Sequence, residues 1–152
     1  MDVKNQSQFY KKPLLSEAFF ITLILIMEIE FILYVANQEK SKIFYSILLN
    51  KKPSLDVPGM TEFLLDEKTK LGLMPESGIN KILSGKTPNP SDGNGIPRCE
   101  LYLKSENLNT YFQNSIKAGA KIISEPAPRD WGDKVVYVAD PDGHIIAFAE
   151  KL

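Results

Sequence analysis

Residues 28–152 carry one pattern twice: an alternating strand, an amphipathic helix, then further strands. A chain duplicated in this way folds as two like halves. The second half closes on Asp140-Pro141-Asp142-Gly143, where proline presets one turn angle and glycine supplies a positive φ. That tetrapeptide fixes a hairpin between two apolar strands, Asp133–Ala139 and His144–Glu150. The fold class is therefore α+β, with two strand–helix–strands modules at about 28–77 and 97–152.

In the first module, Ile29, Phe31, Leu33 and Val35 fall on one strand face, and Glu30, Ile32 and Tyr34 on the other. Asn37 caps a helix reaching Leu49, with Ile43, Phe44, Ile47 and Leu48 as its apolar stripe. Lys51–Val57 reads as an edge or irregular strand because of its prolines. Thr61–Leu65 and Lys70–Met74 read as a hairpin. Residues 78–95 form a linker with one helical turn near Ile79–Leu83. The second module repeats the order: strand Cys99–Lys104, a helix capped by Ser105 or Asn107, a short strand Ala120–Ser124, a loop Glu125–Gly132 and the closing hairpin. Leu108, Phe112, Ser115, Ile116 and Gly119 share the second helix's predicted inner face.

Composition narrows the partners. The 152 residues carry a formal net charge of -1, with 18 basic and 19 acidic side chains and no block of one sign. Nucleic acid and anionic membrane are poor partners for such a surface. The single cysteine, Cys99, excludes an internal disulfide and fits a reducing, cytoplasmic setting. His144 is the only histidine, so a metal site within one chain would rest on carboxylates.

The first 26 residues read differently. Ala18–Met27 is almost continuously apolar, but extending it to membrane-spanning length takes in Glu28 and Glu30. Lys11 and Lys12 precede it as in a signal peptide, yet no small-x-small cleavage site follows. The preferred reading is an extension outside the domain, with Met27 standing directly before the first patterned strand.

Aligning the modules pairs Glu30-Phe31-Ile32-Leu33 with Glu100-Leu101-Tyr102-Leu103. In each, a glutamate opens an apolar strand and points away from the helix-covered face. Either the two non-helix faces line a cavity with polar content, or both glutamates face solvent at a sheet edge.

Lys117-Ala118-Gly119-Ala120 at a helix end, Trp131-Gly132-Asp133 in a loop and Asp140-Pro141-Asp142-Gly143-His144 before the last strand resemble the vicinal oxygen chelate superfamily. Leu33-Tyr34-Val35 and the helix carrying Phe44-Tyr45 extend the resemblance over the first module. That superfamily includes glyoxalase I, extradiol dioxygenases, fosfomycin-resistance enzymes and bleomycin-resistance binding proteins. The resemblance implies two βαβββ modules whose curved mixed sheets form a cleft, and commonly a homodimer. It also implies four metal-ligand points, which fall by register on Glu30, Gly72, Glu100 and Ala147. Glycine and alanine offer no side-chain ligand, and two glutamates would hold only a hard ion that keeps several waters. A resident catalytic metal is therefore disfavoured. His144, three residues before the last ligand point, is expected as a rim or turn residue.

Three functions follow as expectations. The first is a metal-independent protein of the bleomycin-resistance type that binds a small organic molecule. Its contacts would be Glu30 and Glu100 as acceptors, with Ile32, Tyr34, Tyr102 and Trp131 as walls. Trp131 could equally plug the Pro126–Pro128 loop. The second is a lyase or isomerase of the glyoxalase I type, with Glu30 or Glu100 as general base. The third is a non-catalytic dimerisation module whose cleft is filled by its own side chains.

Overall fold

A computed structural model describes residues 28–152, and the readings made for residues 1–26 lie outside them. The alternating strand becomes β1, Ile29–Val35, followed by α1, Gln38–Leu48, with Asn37 Oδ1 accepting from the Lys40 N–H as a cap. Then come β2 (Leu55–Val57), β3 (Met60–Leu64) and β4 (Thr69–Pro75). A helix α2 (Glu76–Leu83) and a 3₁₀ turn (Pro90–Gly93) lie in the linker. The second module holds β5 (Glu100–Lys104), α3 (Leu108–Ala118), β6 (Lys121–Pro128), β7 (Asp133–Ala139) and β8 (Ile145–Lys151). Its helix starts at the predicted Asn107 cap and ends on Gly119 at φ 77°, a conformation open to glycine.

Each module makes a separate four-stranded sheet of the same order, β1-β4-β3-β2 and β5-β8-β7-β6. The first strand of each is parallel to the last, and the remaining pairs are antiparallel. The chain is thus α+β, two βαβββ modules with mixed sheets that do not close into a barrel.

One core joins the modules. Val35, Phe44, Tyr45, Leu48, Phe63, Leu71 and Leu73 of the first pack with Leu108, Val136, Val138, Ile146 and Phe148 of the second. Helices α1 and α3 lie against each other, and Tyr111 of α3 stacks on Phe148 at 4.6 Å. Leu33 and Val35 point into this core, as do Leu101 and Leu103. By the two-residue period of a strand, Glu30, Ile32 and Tyr34, and Glu100 and Tyr102, point away from it.

Several local readings shift. On α1 the buried stripe is Ser41, Phe44, Tyr45 and Leu48, and Ile43 is exposed. The helix is rotated so that Tyr45 faces the other module, where its hydroxyl finds a buried carboxylate. Ile116 of α3 is likewise exposed, and Tyr111 takes the inner position instead. The helical turn foreseen at Ile79–Leu83 begins earlier, at Glu76. Strand β6 runs on through Pro128, because register shifts in an edge strand tolerate residues without an N–H.

Candidate functional site

Among the described residues, nothing covers the non-helix face of the first sheet. Register places Glu30, Ile32 and Tyr34 of β1 beside Lys70, Gly72 and Met74 of β4, with Glu62 and Leu64 of β3 and Leu55 and Val57 of β2 beyond. Ile32 is 40% exposed and Tyr34 37%, and Leu55, Val57 and Leu64 are similarly uncovered. The Glu30 carboxylate lies directly over Gly72: a Cβ there would stand 2.6 Å from Glu30 Oε1 and 3.1 Å from Ile32 Cγ1. Position 72 is thus a floor for Glu30. Lys70 Nζ meets Glu62 Oε2 at 2.9 Å on the same face, which raises the lysine's pKa.

The matching face of the second sheet is covered by its own side chains. A row runs across it through Tyr102, Ala147, Tyr137 and Ser124, four residues paired strand to strand. Ala147 is 0% exposed and packs with Val135 and Ala149 beneath Tyr102 and Tyr137. The Tyr102 hydroxyl donates to Asp133 Oδ2 at 2.8 Å and accepts from Trp131 Nε1 at 3.0 Å. Lys104 Nζ also reaches Asp133 Oδ2, at 3.3 Å. The hydrogen bond from Tyr102, helped by Lys104, holds the Asp133 carboxyl below its ordinary range. Burial, with the neighbouring Asp133, pushes the Tyr102 phenol up. At the far end of the row the Arg129 guanidinium sits over the Tyr137 ring, 5.3 Å from its centroid.

The predicted site residues therefore fall into two groups. Glu30, Ile32 and Tyr34 share the first face; Tyr102 and Trp131 are hydrogen-bonded to each other on the second, and Glu100 is exposed on the edge strand β5. Among the described residues no hydrogen bond or ion pair connects the two groups. Trp131 is 60% exposed and donates to Tyr102, so it caps that tyrosine rather than plugging the Pro126–Pro128 loop. Two grooves, of about 390 and 280 Å³, lie instead where the modules meet, one beside Lys51 and Asn107 and the other between Phe44 and Gly119. Neither is lined by a predicted site residue. Sequence reasoning missed Asp133, Tyr137 and Arg129; the signal was the β7 alternation, which sets Asp133, Val135 and Tyr137 on the face of Ala147.

The Asp140–Gly143 turn does more than reverse the chain. Asp140 Oδ1 accepts from the backbone N–H of Asp142 and His144, and Oδ2 accepts from the Tyr45 hydroxyl at 2.9 Å and faces His144 Nδ1 at 2.8 Å. Asp142 accepts from the Ala36 N–H at 3.0 Å and the Ser41 hydroxyl at 3.1 Å. Asp140, Asp142 and His144 come close enough to suggest a cation site, but every carboxylate oxygen is already hydrogen-bonded. The turn is a latch onto the first module. Burial raises the Asp140 carboxyl, but His144, the backbone N–H and Tyr45 outweigh it and the pKa ends below the usual value. Burial likewise lowers the His144 imidazole, and Asp140, with Asp142 and Glu76 nearby, more than reverses this.

Comparison with known proteins agrees with this architecture. A glyoxalase-related enzyme of Fulvimarina pelagi superposes with a TM-score of 0.71 at 18% identity, covering 84% of this chain and 89% of its own. A glyoxalase/bleomycin resistance protein/dioxygenase of Nocardioides does so at 0.64 and 19% identity, over 90% and 93%. A protein of Agrobacterium tumefaciens solved in solution scores 0.62 at 27% identity, over 81% and 95%. An uncharacterized protein of Mycobacterium bovis is 28% identical over 91 residues, which is 58% of this chain and 59% of that protein. The match thus spans less than two thirds of that relative's length. No helix among the described residues is long and apolar enough to cross a membrane. The family described as the glyoxalase-like domain matches residues 28–152. With both βαβββ modules inside that span, the chain belongs to the glyoxalase-like family of the vicinal oxygen chelate superfamily.

Proposed function

We propose that this protein binds a small organic molecule without a catalytic metal, in a cleft completed by a second copy of the chain. The observation that carries the reading is the open first face. Ile32, Tyr34, Leu55, Val57 and Leu64 form an uncovered apolar surface around a carboxylate fixed over Gly72. A soluble domain that leaves such a face bare has a use for it. Among the described residues its edge strand β1 pairs on one side alone and carries half-exposed Ile29 and Phe31, which a partner's strand would cover.

The donor set supports the metal-free part of the reading. Of the four ligand points, position 72 has no room for a side chain unless Glu30 moves, and Ala147 is sealed beneath two tyrosines. That leaves two carboxylates, Glu30 and Glu100, fewer than the three protein ligands that a catalytic transition-metal site keeps.

Apolar walls beside a carboxylate suit a ligand with an aromatic body and a cationic group. Benzyltrimethylammonium is a direct probe. Sedimentation should show a dimer for the full chain and a monomer for Tyr34→Glu, and calorimetry should show binding of the probe to the wild type, at least tenfold weaker in Glu30→Gln. A monomeric wild type overturns the pairing, and equal affinity in Glu30→Gln overturns the role of the carboxylate. A second reading, a dimerisation module without a ligand, is favoured by the self-filled second face. It predicts the dimer but no binding of the probe.

A further inference from the structure

Arg129 carries a buried side-chain nitrogen that finds no hydrogen-bond partner among the described residues. Its Nη2 donates to Ser124 Oγ at 2.6 Å, and its Cζ lies over Tyr137. Its Nε is shielded from solvent and has no acceptor. Among the described residues no carboxylate pairs with it, although the neighbouring Asp133 is held by Tyr102 and Lys104. A guanidinium offers five donors in a planar fork, and Ser124 occupies only one of its nitrogens. Lying over the Tyr137 ring fixes the position of that fork, and among the described residues its Nη1 has no hydrogen-bond partner and is left for an oxyanion. The rings of Tyr137 and Tyr102, which cover Ala147, then lead from the cation towards Trp131.

We infer that Arg129 is an anion-binding residue that takes the carboxylate of a small organic acid whose apolar body lies against Tyr137. The carboxylate takes the terminal guanidinium nitrogens that solvent reaches, and the rings of Tyr137 and Tyr102 accept the rest of the molecule. This subsite is built from one chain, so it does not depend on pairing with a second copy.

Trp131 is the only tryptophan and is bonded to Tyr102 at the end of the row, so its fluorescence reports occupancy. Benzoate should change that signal saturably, and benzamide, its neutral analogue, should not. Arg129→Gln should weaken benzoate at least tenfold, and Arg129→Lys, which keeps the charge and loses the fork, should fall between. Equal responses to benzoate and benzamide overturn the inference, as does unchanged benzoate affinity in Arg129→Gln or no benzoate response at all. Phenylphosphonate bound more tightly than benzoate would overturn the assignment to carboxylates. If Arg129→Gln does not fold, the benzoate–benzamide pair and Arg129→Lys decide the matter. Sedimentation of the same samples keeps the readings apart: a monomer that binds benzoate refutes the pairing alone, and a dimer that ignores benzoate refutes this subsite alone.

Discussion

The two modules share one framework and use its equivalent surfaces in opposite ways. The first leaves the non-helix face of its sheet bare, with Ile32 standing where the second has Tyr102. The second folds Tyr102 down over Val135 and Ala149 and ties it to Asp133 and Trp131. The turns before the last strands differ in the same spirit. In the first module Asp66 closes only its own loop, accepting from the Lys68 N–H at 2.8 Å. In the second, Asp140 and Asp142 reach across to Ala36, Ser41 and Tyr45. Duplication has kept the backbone path while one copy leaves its face uncovered and the other fills its face and reaches across as an anchor.

The sharpest way to break this comparison is to remove the anchor. Asp140 is buried, and its carboxylate gathers two backbone donors, a tyrosine and a histidine. Asp140→Ala strips all four and leaves the Tyr45 hydroxyl buried without an acceptor, at a cost of about 3–5 kcal/mol. Urea unfolding should show that loss, whereas Asp66→Ala at the equivalent turn should leave the midpoint nearly unchanged. Equal effects at the two turns would mean that the latch between modules contributes nothing.

That latch was not legible in the sequence, although the turn was. Asp140-Pro141-Asp142-Gly143 announces a reversal through local backbone preferences, and those act within four residues. Its grip on Tyr45 spans 95 positions and depends on how α1 is rotated, which the apolar period left ambiguous. Ile43 and Tyr45 are both acceptable inward residues on that helix, and only the buried acid on the other module selects the tyrosine. The candidate site divides likewise. Alternation placed Glu30 and Glu100 on the non-helix faces, because a strand's period is strict. It could not show that Trp131 reaches Tyr102, or that Arg129 covers Tyr137, since both are set by a loop whose path no period describes.

A second, smaller test compares the faces themselves. Truncating Tyr102 to alanine opens space above Val135 and Ala149 and releases Asp133 and Trp131. For a partly exposed aromatic the cost should be about 2 kcal/mol, below the range for a fully buried ring. The Trp131 emission should also move as its N–H loses the phenol. Ile32→Ala, at the matching place on the open face, should leave the stability of the monomer within about 0.5 kcal/mol. A large loss at Ile32 and none at Tyr102 would reverse the assignment of open and covered faces.

The smallest expected effect is a pH dependence that only the second turn can show. His144 has a folded pKa above its unfolded value, so its contribution is complete below about pH 6.5 and is lost as pH rises through the folded value. Asp140 is depressed, so its contribution is present above about pH 4 and is lost as pH falls through its folded value. The latch is therefore strongest between those limits. Asp142 and Glu76 also face the imidazole, while burial and Asp140 keep the Tyr45 phenol protonated well above neutrality. Unfolding free energy should fall by about 1 kcal/mol between pH 6 and pH 8.5, the scale of one hydrogen bond losing its charge. His144→Gln should flatten that limb and leave the acid limb in place. Asp66, whose carboxyl is lowered by the Lys68 N–H, has no histidine beside it and so contributes on the acid side alone. An alkaline slope that survives His144→Gln would place its origin elsewhere and leave the turn as a fixed brace rather than one tuned by protonation.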